Sequence, residues 1–423
     1  MHRLTAGAAF AAALISFTSV PAAAASAAEL APAVSVERFL AARRQQPLWL
    51  VDPAATELLV ERLRTARLDG FERGPELADA AITALARAEG GNRRAALDAE
   101  RLLSSAWVRY VQALRWPAGG MEFADPTLAP AVPTADEVLR DLDGAPSLAG
   151  HVRAVSAVNP TYAALRQAAI DAGADPVLGA RLQRNLDRVR MLPASERFIL
   201  VDLASQQLSM MEDGHPVDTM KVVVGKTAMP TPLLAGTVAR ATLNPYWNIP
   251  VDLVAHTVAP AVLKNGLRWF AGKHYEVLSS WGPDAQVLDS AEIDWQAVAD
   301  GRTELRVRQL PGRGNMMGAM KFEFPNTHGI YLHDTPERGL FAKPVRTYSS
   351  GCVRLEDAAR LGRWLLGREP VAESTRPELT VALPRPVPVY LTYLTARVDN
   401  GQVALVDDIY GLDAKADQRL ASQ

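Results

Sequence analysis

A single cysteine, Cys352, stands in 423 residues, which excludes an intramolecular disulfide and leaves packing to hold the fold. One cysteine and seven scattered histidines supply no ligand cluster, so neither a metal nor any other cofactor is expected. Neither sign of charge dominates: 45 Lys and Arg face 47 Asp and Glu, a balance that argues against nucleic acid or another polyanion as partner. After Ala6–Val20 no apolar run is long enough to span a bilayer. Apolar residues make up 48% of the chain, enough for ordinary cores, and nothing in the pattern specifies an oligomeric state.

What is present begins with a signal. Arg3, the apolar run Ala6–Val20, Pro21 and the small residues Ala25-Ser26-Ala27 read as a secretory signal peptide over residues 1–28. Such a segment implies export and no stable membrane insertion once it is cleaved. From Val34 to Arg190 apolar residues recur at helical spacing, over Thr56–Leu68, Leu77–Glu89, Ala95–Trp116, Ala135–Leu142, Pro160–Ala172 and Pro176–Val189. Trp107, Tyr110 and Trp116 on the long helix read as core. At Glu196 the texture changes to β-favouring runs, with Asp213-Gly214 as a hairpin turn. The triplet Gly225-Lys226-Thr227 lacks the upstream glycine and following helix of a phosphate loop. The segment Pro386–Val398 reads as a strand entered through prolines, hence near a sheet edge. The expected class is α+β, an all-helical N-terminal domain followed by a mainly β domain.

Chemistry concentrates in Ile330–Arg354. Cys352 follows Ser349-Ser350-Gly351, a small, turn-prone sequence that suits an exposed side chain, and His333 closes the apolar run Ile330-Tyr331-Leu332. A thiol becomes a strong nucleophile as thiolate, and a nearby imidazole is the usual device for generating it. Gly351 allows close backbone approach, and the Gly351 and Cys352 amides are candidate oxyanion donors. His328 competes as the base. An extended Thr327–His333 would turn the two imidazoles to opposite faces, so that only one of them can meet Cys352.

IYLHDTP followed by SSGCVR resembles the YkuD-type L,D-transpeptidase catalytic domain. The resemblance implies Cys352 as nucleophile, His333 as base and Arg354 as the residue orienting the turn. Where the family usually has a histidine before the glycine, this chain has Ser350, assigned with Tyr246 and Trp247 to substrate binding. The Tyr331 hydroxyl is a further oxyanion candidate. PLWL at Pro47–Leu50 and the helices containing Tyr162–Arg166 and Asn185–Arg188 resemble the helical scaffold of the larger, periplasmic members. The peptidoglycan-binding domain that usually separates those two helices is absent.

On this resemblance the domains are a scaffold over 29–194, a β-sandwich catalytic domain over 195–413 with a capping subdomain at 251–311, and a tail over 414–423. The implied partners are donor and acceptor peptidoglycan stem peptides, in the periplasm. The implied reaction attacks the L-centre of diaminopimelate in a tetrapeptide stem, giving 3-3 or 1-3 cross-links. L,D-carboxypeptidase or D-amino-acid exchange activity, a Cys–His peptidase and a non-catalytic wall-binding protein are the alternatives.

Overall fold

A computed structural model describes residues 23–173, 175–372, 374–399 and 401–415, with side chains described from residue 33 onward. The apolar run of the signal and most of the C-terminal tail therefore lie outside the described residues. Among those described, no helix is long and apolar enough to cross a membrane.

The first half of the chain carries eight helices, interrupted by one short strand after the fourth: α1 (Ala23–Ala42), α2 (Pro53–Arg64), α3 (Gly74–Ala88), α4 (Arg93–Arg115), α5 (Ala135–Asp143), α6 (Leu148–Ala157), α7 (Pro160–Asp171) and α8 (Pro176–Val189). Their starts follow local chemistry. Thr134 and Glu137 form a reciprocal capping box on α5, which satisfies two otherwise orphaned backbone donors. Asp175 accepts from the first amides of α8, and Pro176 stands at its first turn, where a missing N–H costs nothing.

The chain divides into two compact units. One comprises residues up to 64, 74–112 and 133–152. Its centre holds fully buried Trp49, Leu59, Leu63, Leu103, Trp107 and Tyr110. The Trp49 indole donates to Ser104 at 3.1 Å, while Glu100 accepts from the backbone amides of Trp49 and Leu50. Trp107 and Tyr110 are core, whereas Trp116 lies past the end of α4 and is 64% exposed.

The second unit contains α7, α8 and the β structure. Helices α7 and α8 are separated only by residues 172–175, too short an interval for a domain. The strands are β1 (Glu122–Phe123), β2 (Phe198–Asp202), β3 (Gln207–Glu212), β4 (His215–Gly225), β5 (Leu234–Leu243), β6 (Trp247–Ile249), β7 (Tyr275–Leu278), β8 (Val287–Leu288), β9 (Arg306–Gln309), β10 (Met320–Glu323), β11 (Tyr331–His333), β12 (Thr347–Ser349), β13 (Val353–Leu355), β14 (Leu379–Thr392), β15 (Ala396–Asp399) and β16 (Gln402–Leu405).

The main sheet runs β5-β10-β11-β13-β4-β3-β2-β14, and β14 pairs β5 as well, so the ladder closes on itself. This corrects the edge expected for the proline-rich strand. β14 has a partner on each side, and its register shifts between Ala382 and Val387, which takes Pro384 and Pro386 out of the ladder where they would each lack a donor. Asp213 and Gly214 both have positive φ, as a tight hairpin turn between β3 and β4 requires.

The interior is aliphatic and aromatic, with Val222, Val224, Phe322, Leu332, Val353, Leu355 and Val389 fully buried. Burying one such side chain contributes about 1.5–3 kcal/mol. Between β6 and β9 the chain forms its own four-stranded sheet, β6-β9-β7-β8. This subdomain has a separate core that includes Val258, Val262, Phe270, Trp295 and Val307.

Candidate active site

Strand periodicity sorts the residues of β10, β11 and β13. Phe322, Leu332, Val353 and Leu355 point into the core, so Lys321, Glu323, Tyr331, His333 and Arg354 take the opposite face. Lys321 pairs in register with His333 and Glu323 with Tyr331. The parallel ladder pairs Leu332 with Val353 and His333 with Arg354. Cys352, one residue before β13, is therefore level with Tyr331 and shares a face with His333. Parallel pairing thus unites two residues that the intervening segment keeps nineteen positions apart.

The turn before the cysteine is held from several directions. Gly351 has φ +117°, and a Cβ there would come within 3.1 Å of Ile330, so only glycine fits without strain. Ser349 Oγ donates to the Cys352 carbonyl at 2.6 Å and accepts from the Gly351 N–H at 3.2 Å. That amide is committed to the turn, which corrects its expected role as an oxyanion donor. The Cys352 N–H has no acceptor among the described residues and remains available. The Thr231 hydroxyl donates to the Gly351 carbonyl at 2.7 Å and accepts from Gly225 N–H at 2.9 Å. Tyr410 ties its hydroxyl to the Gly225 carbonyl at 2.7 Å, and its own N–H donates to the Tyr393 hydroxyl, which donates to Asp408.

His333 is 4% exposed. Its Nδ1 lies 2.6 Å from the Asp334 carbonyl, an acceptor only, so Nδ1 carries the proton and Nε2 keeps its lone pair. Burial, together with the positive charges of Arg354 and Lys321, pushes the imidazole down to about 3. Burial likewise pushes the Cys352 thiol up, against the Tyr331 N–H directed at the sulfur and the charge of Arg354. Desolvation disfavours the charged form of both groups. Burial therefore acts against a resting thiolate–imidazolium pair. The thiol itself donates toward the Gly329 carbonyl at 3.5 Å.

Other expected site residues lie as follows. Arg354 forms an ion pair with Glu337, tying β13 to the loop after His333. Ser350 is exposed. The Tyr331 side chain lines a groove of about 330 Å³ together with Arg240, Glu323, Asn326 and Gly329. Tyr246 donates its N–H to Glu378 at 2.7 Å and carries Arg308 4.2 Å over its ring. Trp247 packs on the core of the small subdomain, and neither it nor Tyr246 lines a groove described beside Cys352. His328 stands exposed on a turn, its Nε2 2.7 Å from Glu122. A second groove of about 320 Å³, beyond His333, is lined by Asn244, Arg313, Asp334, Thr335 and Arg338 among others. No group of three or more His, Cys, Asp or Glu among the described residues is arranged to hold a metal.

Residues 196–377 match the model of the L,D-transpeptidase catalytic domain (YkuD), and residues 34–168 match that of a scaffold domain. A Haemophilus influenzae protein classed as an L,D-transpeptidase is 30% identical over 389 residues, covering 89% of this chain and 77% of the relative. The chain belongs to the L,D-transpeptidase family.

Two solved L,D-transpeptidases also align. One from Mycobacterium smegmatis is 13% identical with a TM-score of 0.24, covering 47% of this chain and 59% of that one. L,D-transpeptidase 3 from Mycobacterium tuberculosis, bearing a faropenem-derived adduct, is 15% identical with a TM-score of 0.23, covering 47% and 61%. This chain spans about three fifths of those two, and at such TM-scores the superpositions add nothing to the fold. Within this L,D-transpeptidase, sequence reasoning missed Thr231, Tyr410, Lys321, Glu323 and Arg240. Only the alternation Lys321-Phe322-Glu323 carried a local signal, because it marks an outward polar pair on a strand.

Proposed function

We propose that this enzyme cross-links peptidoglycan through a Cys352 thioester, with a tetrapeptide stem as donor and a diaminopimelate side-chain amine as acceptor, giving 3-3 links. Export through residues 1–28 would deliver it to the periplasm, where those stems occur. The observation that carries the reading is the placing of Cys352 and His333 on one face of the β11–β13 ladder, with one groove lined by Gly329 and Tyr331 and another by Asp334 and Thr335.

His333 Nε2 takes the thiol proton as sulfur attacks the carbonyl of the diaminopimelate L-centre. The Cys352 N–H faces the developing oxyanion, and the resulting imidazolium is discharged at once. As the carbon–nitrogen bond breaks, it protonates the departing D-alanine amine and returns to its neutral form. The acceptor amine then gives a proton to Nε2 and attacks the thioester, and the sulfur leaves to recover that proton.

The groove beyond His333 supports the 3-3 choice. The leaving D-alanine and the D-centre of a second diaminopimelate are both D-amino acids with a carboxylate beside the amine. Arg313 lines that groove and suits such a carboxylate in either occupant, beside Arg338, which Asp334 and the Glu356 carbonyl already hold. The N-terminal L-alanine of a 1-3 acceptor has an amide there instead.

Incubation with disaccharide-tetrapeptide should add the stem to Cys352 with loss of alanine by intact-protein mass, and muropeptide analysis should show 3-3 dimers. An unmodified Cys352 would refute the mechanism, and 1-3 dimers would refute the acceptor assignment.

A further inference from the structure

The groove on the Tyr331 side of the nucleophile has an organised charge pattern. Arg240 on β5 and Glu323 on β10 are register partners, yet the guanidinium Nε stays 3.6 Å from the carboxylate, beyond hydrogen-bond reach. The other oxygen of Glu323 holds the nearly buried Lys321 at 2.8 Å, and Lys321 also approaches Glu378 at 3.4 Å. A row of alternating charges, Arg240, Glu323, Lys321 and Glu378, therefore crosses the outward face of the sheet. Its inner end is closed, because Glu378 also accepts from the Tyr246 N–H. Its outer end is open: Arg240 is 57% exposed, and both Arg240 and Glu323 line the groove. A lone anion or a lone cation would satisfy one member of that end and repel the other. A ligand with an ammonium and a carboxylate on one carbon suits both.

We propose that Arg240 and Glu323 clamp a free α-amino-acid zwitterion on the donor stem, the guanidinium taking the carboxylate and Glu323 the ammonium. The proposal rests on the reading of Cys352 as the residue acylated by a tetrapeptide stem. The D-centre of diaminopimelate is such a zwitterion, four carbon–carbon bonds and roughly 5 Å from the L-centre under attack. Glu323 and Cys352 lie two strands apart, about 10 Å between Cα atoms. That gap is spanned by a thioester, the diaminopimelate chain and an inward-leaning carboxylate. A lysine side chain offers the ammonium without the carboxylate. Arg240 is then the residue that distinguishes diaminopimelate from lysine stems, while Glu323 serves both.

The test uses the full-length protein and two tetrapeptide donors, differing only in diaminopimelate or lysine at the third position, with Cys352 acylation followed by intact mass. The wild type should prefer the diaminopimelate donor by roughly 10- to 100-fold, the scale of one charge-assisted contact. Arg240→Gln should collapse that preference to under about 3-fold and Arg240→Lys restore part of it, since lysine keeps the charge without the fork. Glu323→Gln should slow both donors by a similar factor. Equal slowing of both donors by Arg240→Gln, or an unchanged preference, would overturn the clamp while leaving Cys352 as nucleophile. Failure of the wild type to be acylated by either donor would overturn the functional reading and the clamp with it.

Discussion

Two histidines five positions apart differ in everything that decides their chemistry. His328 sits on an exposed turn with Glu122 beside its Nε2, a carboxylate that consumes the nitrogen a base would use. His333 is buried on a strand whose outward face Cys352 shares, its Nδ1 spent on a backbone carbonyl and its Nε2 without a hydrogen-bond partner among the described residues. The first has a partner able to share its charge. The second has positive neighbours, Arg354 and Lys321, that oppose protonation. The difference teaches that a base is made by what surrounds the ring and by which nitrogen is left over, more than by distance along the chain.

The largest effect expected from this contrast is loss of activity. Cys352→Ala and His333→Gln should each lower cross-linking in a muropeptide assay by at least about 10³-fold, as removal of a coupled nucleophile or base does. Residual activity near wild type in either would place the chemistry elsewhere. Next comes the brace behind the nucleophile. Thr231→Val leaves the Gly351 carbonyl and the Gly225 N–H without their shared hydroxyl. It should reduce kcat by roughly 10- to 100-fold through a shifted turn, with KM changing little.

The protonation states give the third prediction. The Cys352 thiol is raised and His333 is already neutral above about pH 3. Alkylation of Cys352 by iodoacetamide should therefore rise only above the ordinary thiol range of about 8.5. A rise centred near pH 6.5 would instead reveal a thiolate–imidazolium pair. Fourth, stability should respond to the same burial. Because folding depresses the His333 pKa, its contribution is complete above the unfolded value of about 6.5 and is lost as pH falls toward about 3. His333→Gln should flatten the pH dependence of the unfolding free energy across that interval, by an amount on the order of a few kcal/mol, as read by denaturant titration at each pH. The smallest effect belongs to the other ring: His328→Gln should alter kcat/KM by less than about 3-fold, and a larger loss would erase the contrast between the two.

Particular residues show how far the chain could be read by itself. The bounds of α8 were legible because Asp175-Pro176 is a start signal that operates within one turn. The hairpin at Asp213-Gly214 was legible for the same reason. The proline-bearing strand was misplaced because its partners, β2 and β5, lie far away in sequence, and closure of the sheet cannot be inferred from a local pattern. The burial that acts on Cys352 and His333 was not legible, because a motif names a cysteine and a histidine without giving their solvent exposure. Gly351 was read as a donor of its amide, yet the hydroxyl two residues earlier occupies that amide.

Sequence alone determined the fold class and family of this protein, with a mainly helical first half ahead of most of its strands. Periodicity, caps and short motifs act over a few residues, and the chain carries them whole. Tertiary structure alone decided which nitrogen of His333 is bonded, which amide beside Cys352 is left without an acceptor, how Thr231 and Tyr410 brace the turn, and where Arg240 meets Glu323. Those outcomes depend on strand register and desolvation, which exist only after distant segments have packed together.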